Sequence, residues 1–381
     1  MKQFANFFCC AWLLITLLVA GCQSDSQQAA ETSATTKSAN TVKYSKFFSI
    51  EPQKDYTILT VTPFEGNELR YALYPKTLPK PTIPDNCQPI AVPIESAALY
   101  GTTYAHLFEL IDCQNIIKGF AGTSYLYSQS LRQAVAAGSI TELGSGNQPN
   151  VELLNQLKPD IVMMYAGAND MDKLSLLQRA DIKVIINADF LENTPLGRAE
   201  WIKVVGLLCN RSNKSDSIFN QVEQNYQQLK LKVNQIAQKP TVFANVPYGN
   251  TWYMPGGNSF MAHLLKDAGA DYLWQEEAQT GSLPLSLETA FSRIQTADYW
   301  INPGSMESLD MIRKTDTRFG LLKAVQTGKV FNNNKRQLSG GGNDYWESGS
   351  ARPDLVLADL IAIFHPEIAP DHSFIYFQRL Q

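Results

Sequence analysis

A chain that transforms a substrate gathers an acid, a base and a nucleophile, a metal set, or a phosphate loop. The four histidines of this chain, His106, His263, His365 and His372, are scattered along 381 residues without a His-x-x-x-His pair, and only Asp371 stands beside one of them. That spacing points to packing or surface roles, not to a metal set. Gly340-Gly341-Gly342 is a run that can cradle an anion with backbone N–H groups. It lacks a strand-to-helix context and a following Lys-Ser/Thr, so a turn is expected. A Gly-x-Ser-x-Gly nucleophile elbow is absent from the sequence, and no catalytic residue or protein-held metal is expected. What the chain offers is rings. Tyr100, Tyr125, Tyr127, Tyr165, Tyr248, Trp252, Tyr345 and Trp346 each follow an expected strand or the glycine run, with Tyr104 and Tyr253 close by. Ligands of open α/β sheets bind beyond the carboxyl ends of the strands. These eight rings are therefore the expected ligand-binding residues of one cleft, suited to a large, flat or partly apolar ligand. About half of them are expected to pack loops onto the sheet instead. Arg198 and Arg352 are cations within reach of such a ligand, with solvated or salt-bridged surface roles as the plainer expectation.

The elements that must position these rings alternate. Expected strands at Ile90–Ile94, Ile116–Phe120, Ile161–Tyr165 and Val184–Ile186 are separated by helical patterns, which implies a parallel sheet covered by helices. Between Asn213 and Gln238, apolar residues at Ile218, Val222, Tyr226, Leu229, Val233 and Ile236 recur every three or four positions without Gly or Pro. This predicts one long amphipathic helix, ended by Pro240. A second set follows: strand Thr241–Asn245, helices Ser259–Ala268 and Ser286–Ile294, strands Tyr299–Asn302 and Val330–Asn332, and a last helix at Pro353–Phe364. Ahead of both sets, Val42–Tyr74 alternates around Pro63 and Gly66 and predicts a β-hairpin. An internal echo supports two related halves. Asn150-Val151-Glu152 opens a helix leading to Ile161–Tyr165, and Ser286-Leu287-Glu288 opens one leading to Tyr299-Trp300-Ile301. Asn150 and Ser286 are N-caps, and a glutamate in the first turn suits the helix dipole.

Lys2, the apolar run Phe7–Ala20 and the sequence Val19-Ala20-Gly21-Cys22 form an export signal. The run is shorter than the roughly 20 apolar residues of a membrane span. Val19-Ala20-Gly21-Cys22 resembles the bacterial lipobox, which implies lipidation at Cys22 and a membrane anchor. The polar stretch after it has too few large apolar side chains to fold and predicts a flexible tether. The expected organisation is a signal peptide at 1–21, a tether at 22–41, a first α/β lobe with the hairpin at 42–212, a connecting helix at 213–238 and a second α/β lobe at 239–381. The fold class is thus α/β, with two Rossmann-like lobes joined by one long helix.

A hydrophobic fraction of 44% and a charged fraction of 18% fit a folded globular protein, and a net charge of −4 offers no basic field for nucleic acid. Outside the cytoplasm a disulfide is permitted. Cys87 precedes one expected strand and Cys113 follows the next helix, so a Cys87–Cys113 bridge is the expected pairing, with three buried free thiols as the alternative.

From about residue 87 to 365 the chain resembles the periplasmic binding proteins that deliver iron-siderophore, haem and cobalamin chelates to ABC importers. The resemblance rests on Asn150-Val151-Glu152 with Leu157-Lys158-Pro159-Asp160-Ile161-Val162, and on Gly257-Asn258-Ser259-Phe260 with Asp267-Ala268-Gly269-Ala270. It rests also on Leu285-Ser286-Leu287-Glu288 and on Ala324-Val325-Gln326-Thr327-Gly328-Lys329-Val330-Phe331. It implies a non-catalytic, monomeric carrier that holds a chelate such as cobalamin, haem or a ferric siderophore. The long helix implies small opening movements. Glu152 and Glu288 occupy the positions with which that class engages arginines of the permease, whose ATPase drives import. Tyr125, Tyr127, Tyr165 and Trp346 fall in ligand-contacting stretches. The hairpin and the segment Asn343-Asp344-Tyr345-Trp346-Glu347-Ser348-Gly349 depart from the pattern. Two other readings stay open: an envelope-anchored α/β hydrolase, and a binder of bare zinc or manganese.

Overall fold

The computed structural model describes residues 42–381 apart from residues 65, 168 and 169. The expected signal peptide, the tether and Cys22 lie outside the described residues. Short runs of Ile, Val, Leu and Met, too apolar for one wet face, form strands that are buried on both sides. In the first lobe the strands run in the order Thr141–Glu142, Ile117–Phe120, Ala97–Tyr100, Ile161–Met164, Val184–Ile186, all parallel. The order reverses beside Ala97–Tyr100, which creates the crevice that such sheets use for ligands. In the second lobe Asp271–Tyr272, Thr241–Ala244, Tyr299–Ile301 and Val330–Asn332 are parallel, and Gln378–Arg379 closes the edge antiparallel. A small antiparallel sheet of Pro247–Tyr248, Thr251–Pro255 and Ser282–Ser286 stands beside it.

Two expectations at the start of the first lobe are corrected. The hairpin Thr57–Phe64 with Asn67–Pro75 forms, but it is the centre of a four-stranded sheet that adds Phe48–Pro52 on one edge and Cys87–Val92 on the other. Cys87–Val92 therefore does not open the first lobe. Pro93 has no N–H for a ladder, and the Ile94 N–H turns to the Leu208 carbonyl at 2.9 Å. The opening strand is Ala97–Tyr100, a short Ala-Ala-Leu-Tyr run whose alanines read as helix. The extra sheet is fastened to the lobe where the Ile186 N–H donates to Tyr71 Oη at 3.1 Å.

The disulfide expectation fails with that strand. Cys87, Cys113 and Cys209 are free and buried. Cys87 sits in the extra sheet, whereas Cys113 follows helix Thr102–Leu110 and lies against Cys209 at the end of helix Ile202–Leu208. The neighbouring Asp112–Lys214 ion pair joins the same two turns.

The long helix spans Ser212–Val233, about 33 Å at 1.5 Å per residue. It is fixed to both lobes. Toward the second lobe, Asn225 Nδ2 donates to Asp354 at 3.0 Å, Tyr226 Oη donates to Asp267 at 2.9 Å and Lys230 pairs with Asp267 at 2.8 Å. Toward the first, Glu223 accepts from Tyr44 Oη at 2.7 Å and pairs with Lys43 at 2.9 Å. Ties at both ends favour small movements over a wide hinge. Among the described residues no helix is long and apolar enough to cross a membrane.

Candidate ligand cleft

The strands of the second lobe end on asparagines. Asn245 follows Thr241–Ala244 and Asn302 follows Tyr299–Ile301, both in the left-handed region at φ 64° and 56°. Asparagine tolerates that conformation better than most residues, so it ends the strand and turns its amide outward. Asn333 directly follows Val330–Asn332, without the left-handed turn of the other two. These three amides line a cavity of about 800 Å³ whose opposite wall is the 190–198 segment of the first lobe.

The cation of the cleft is Arg198. Its helix, Pro195–Ala199, starts where Thr194 Oγ1 accepts from the Gly197 N–H at 3.2 Å. The guanidinium lies over the Phe260 ring at 3.9 Å. Its Nε donates to the Asp189 carbonyl at 3.1 Å, and Nη2 reaches the Phe190 and Glu192 carbonyls at 3.3 and 3.4 Å. Neutral carbonyls orient the fork without cancelling its charge. Burial pulls the Arg198 pKa down, and the nearby Asp189 charge opposes that pull. Burial in turn raises the Asp189 pKa, against the Arg198 charge and the Thr103 hydroxyl. Glu192 also lines the cleft, but its carboxylate is committed. It accepts from Ser45 Oγ, from the Lys46 N–H at 3.2 Å and from Trp201 Nε1 at 3.2 Å. The cleft thus presents a half-buried cation, carboxamides and rings.

Tyr345 and Trp346 enter the cleft from the short helix Asp344–Glu347, capped where Asn343 Oδ1 accepts from the Tyr345 N–H at 2.9 Å. The two rings meet edge to face at 4.8 Å. Tyr345 is buried, yet its hydroxyl lacks a hydrogen bond of proper geometry, and the same holds for the facing Asn302 Oδ1. Buried polar atoms are nearly always paired, so both are acceptors or donors in waiting for something that fills the cleft. Burial raises the Tyr345 pKa, keeping the hydroxyl protonated and able to donate.

The other expected rings disperse. Trp252 is 0% exposed, packed among Phe243, Trp300 and Phe319, with Nε1 donating to the Ala244 carbonyl at 3.1 Å. Tyr100 is buried, and its Oη accepts from the Asn150 N–H at 3.4 Å. Neither reaches the cleft: Tyr100 lies on a strand buried on both faces, and Trp252 takes the buried face of Thr251–Pro255 while Tyr253 of the same strand takes the cleft face. Tyr248 is 83% exposed on the tip of the small sheet and is not part of the lining. Tyr127 turns into a second cavity. Tyr125 and Tyr165 are exposed beside lining residues: Tyr125 lies by Gly341, and Tyr165 meets Phe190 edge on at 5.8 Å. Tyr253, Phe190 and Phe260 line the cleft instead. Arg198, for which a surface role was the plainer expectation, lines the cleft, and the asparagines carry no such expectation from the sequence. The signal available was an Asn directly after each of three parallel strands, Thr241–Ala244, Tyr299–Ile301 and Val330–Asn332. Arg352 is paired with Asp354 at 2.9 Å and lines the second cavity.

Glu152 and Glu288 are exposed, each in the first turn of its helix. Asn150 Oδ1 accepts from the Leu153 N–H at 3.0 Å, and Ser286 Oγ accepts from the Thr289 N–H at 3.1 Å. The two halves of the molecule therefore repeat one capped, acidic helix start.

A family model described as periplasmic binding protein matches residues 97–336. An uncharacterized lipoprotein of Methanocaldococcus jannaschii is 28% identical over 332 residues, covering 81% of this chain and 78% of its own length. Among solved structures, a possible iron-binding, periplasmic solute-binding protein of Staphylococcus epidermidis is 18% identical with a TM-score of 0.54, over 71% of this chain and 98% of that one. The periplasmic haem-binding protein HutB of Vibrio cholerae is 16% identical with a TM-score of 0.54, over 69% and 99%. At those identities the solved structures speak for the fold: two α/β lobes with a cleft between them. With the family model spanning both lobes, the chain belongs to the periplasmic binding protein family.

Proposed function

We propose that this protein is the capture component of an ABC importer, exported and held in the cell envelope by a lipid on Cys22, and that its cleft takes a metal chelate rich in anionic oxygen. The observation that carries the reading is the lining of the cleft. Arg198, whose charge rests on neutral carbonyls, stands with Asn245, Asn302 and Asn333 and with the rings of Tyr253, Phe260, Tyr345 and Trp346. Carboxylate or catecholate oxygens of a ferric siderophore, or the propionates of haem, suit the cation and the amides; the flat or apolar parts of such ligands, or of cobalamin, suit the rings. The iron- and haem-binding functions of the structural relatives support the same class. Catalysis has no part in this role, and the protein works as a monomer.

In this reading residues 42–212 and 239–381 are the two lobes, 213–238 is the connection, and the 22–41 tether keeps the carrier near its permease. Glu152 and Glu288 contact permease arginines, one from each lobe. Their exposure at capped helix starts supports this, since a rim charge tunes association without disturbing the fold.

Titrating the purified protein with cobalamin, haem and several ferric siderophores, followed by tryptophan fluorescence, tests the ligand class. Silence toward all of them at micromolar concentration sinks it. Joint charge reversal, Glu152→Lys with Glu288→Lys, is expected to abolish uptake in whole cells while leaving ligand affinity intact; undiminished uptake refutes the docking role.

A further inference from the structure

The 336–348 segment, which overlaps the stretch Asn343–Gly349 that departs from the family pattern, is a wall between two cavities. Gln337, Gly341, Asn343, Tyr345 and Trp346 face the cleft. Arg336, Leu338, Asp344, Glu347 and Ser348 face a second cavity of about 480 Å³, closed from the other side by His106, Glu109, Tyr127 and Arg132 of the first lobe. The wall belongs to the second lobe but is gripped by the first. Glu347, 1% exposed, accepts from the Tyr127 N–H at 2.6 Å through Oε2 and from the Ser128 N–H at 2.8 Å through Oε1. Those amides lead into helix Gln129–Ala136, so a carboxyl of one lobe caps a helix of the other. Beside it the Arg336 guanidinium lies over the Tyr127 ring at 5.3 Å and its Nε is 3.0 Å from Asp344 Oδ2. Gly342 approaches so closely that a Cβ there would stand 2.7 Å from the Leu126 carbonyl oxygen.

We propose that Glu347 is a positioning residue of the cleft: it clasps the wall bearing Asn343, Tyr345 and Trp346 to the first lobe, and acid strengthens the clasp while alkali loosens it. The link to ligand rests on the cleft being the binding site; the clasp itself does not.

The sign follows from the surroundings of the carboxyl. Burial pushes the Glu347 pKa up to about 7; the Tyr127 and Ser128 N–H groups oppose this, and the charges of Glu109 and Asp344 reinforce it. Also facing the cavity are His106, which lies 3.5 Å from Glu109, the cations Arg132 and Arg336, Arg352 paired with Asp354, and the Tyr376 hydroxyl. With the clasp open, the carboxyl returns to its ordinary value of 4.5. The clasped state therefore binds the proton more tightly. Its contribution is complete below the ordinary value and is lost as pH rises through about 7.

The test needs no ligand. Acrylamide quenching of tryptophan fluorescence in the chain starting at Cys22, which lacks Trp12, reports Trp346, because Trp201, Trp252, Trp274 and Trp300 are buried and Trp346 is 51% exposed. A Trp346→Phe control identifies its share. Amide hydrogen exchange at Tyr127 and Ser128, corrected for intrinsic pH dependence, reports the clasp directly. Between pH 5.5 and 8, wild-type protection at these two amides is expected to fall about 30-fold, the equivalent of about one and a half pKa units, with Trp346 quenching rising in step. Glu347→Gln, always uncharged, is expected to abolish the pH response. Glu347→Ala is expected to lose protection at every pH, with Leu131 still protected as proof that the helix stands. His106→Gln is expected to keep the response. PH-independent protection in the wild type, or protection at Tyr127 and Ser128 that survives Glu347→Ala, overturns the proposal. Since both readouts are taken without ligand, their failure is distinct from a failure of the chelate reading.

Discussion

The two cavities on either side of the 336–348 wall are built from neighbouring residues and differ in how their charges are settled. In the second cavity most charges are paired: Arg336 with Asp344, Arg352 with Asp354, Glu347 with two backbone N–H groups and Glu109 with the Ser128 and Ser130 hydroxyls, while Arg132 rests on the Tyr127 carbonyl and Asp344 Oδ2 has its ion pair but no hydrogen bond. In the cleft, Arg198 is oriented by carbonyls, and the Tyr345 hydroxyl and Asn302 Oδ1 lack hydrogen bonds. A cavity whose polar groups satisfy one another holds the protein together. One that leaves buried polar atoms without hydrogen bonds of proper geometry spends stability on recognition, since unpaired buried groups cost about 1–3 kcal/mol each. Polarity alone does not mark a binding site; incomplete pairing does.

The contrast can be broken at several points. The largest effect is expected at neither cavity and calibrates both. Trp252→Ala should cost about 3–5 kcal/mol of unfolding free energy in denaturant melts, while ligand affinity in the folded fraction stays within a few-fold. A selective affinity loss would return that ring to the cleft. Next in size, Arg198→Ala should weaken chelate binding by about 2–5 kcal/mol in titration calorimetry, whereas Arg336→Ala should leave affinity within a few-fold and lower the melting temperature through the orphaned Asp344. Equal affinity losses in the two variants would erase the distinction between the cavities. The smallest effect is expected from Tyr345→Phe. Its hydroxyl faces Asn302 without a hydrogen bond of proper geometry in the free protein, so stability should change little while affinity drops by about 0.5–1.5 kcal/mol. A destabilised Tyr345→Phe would mean that the hydroxyl is already used.

The rings show how far the sequence could be read. Tyr345 and Trp346 reach the cleft, while Trp252, drawn from the same pattern, is consumed by the core around Phe243 and Trp300. An aromatic after a strand satisfies both fates locally. The cysteines teach the same lesson: Cys113 meets Cys209 through the packing of two turns, a contact that spacing from Cys87 could not reveal. Ala97–Tyr100 escaped notice because alanine carries no strand signal, although it is the strand about which the first sheet reverses.

By itself the sequence determined what depends on near neighbours. Periodic apolar residues made the long helix, buried Ile and Val runs made parallel strands, and Asn150 and Ser286 capped the helices that present Glu152 and Glu288. These features follow from burial pattern and local hydrogen bonding, which a linear chain carries openly. The tertiary structure alone decided which charges remained unsettled. Arg198 became the cation of the cleft because Phe260 and three carbonyls hold it there, with Asp189 near but not bonded to it, and Glu347 became a clasp because Tyr127 and Ser128 arrive from the other lobe. Both outcomes are pairings between residues far apart in the chain, and only the packing of the lobes brings such partners together.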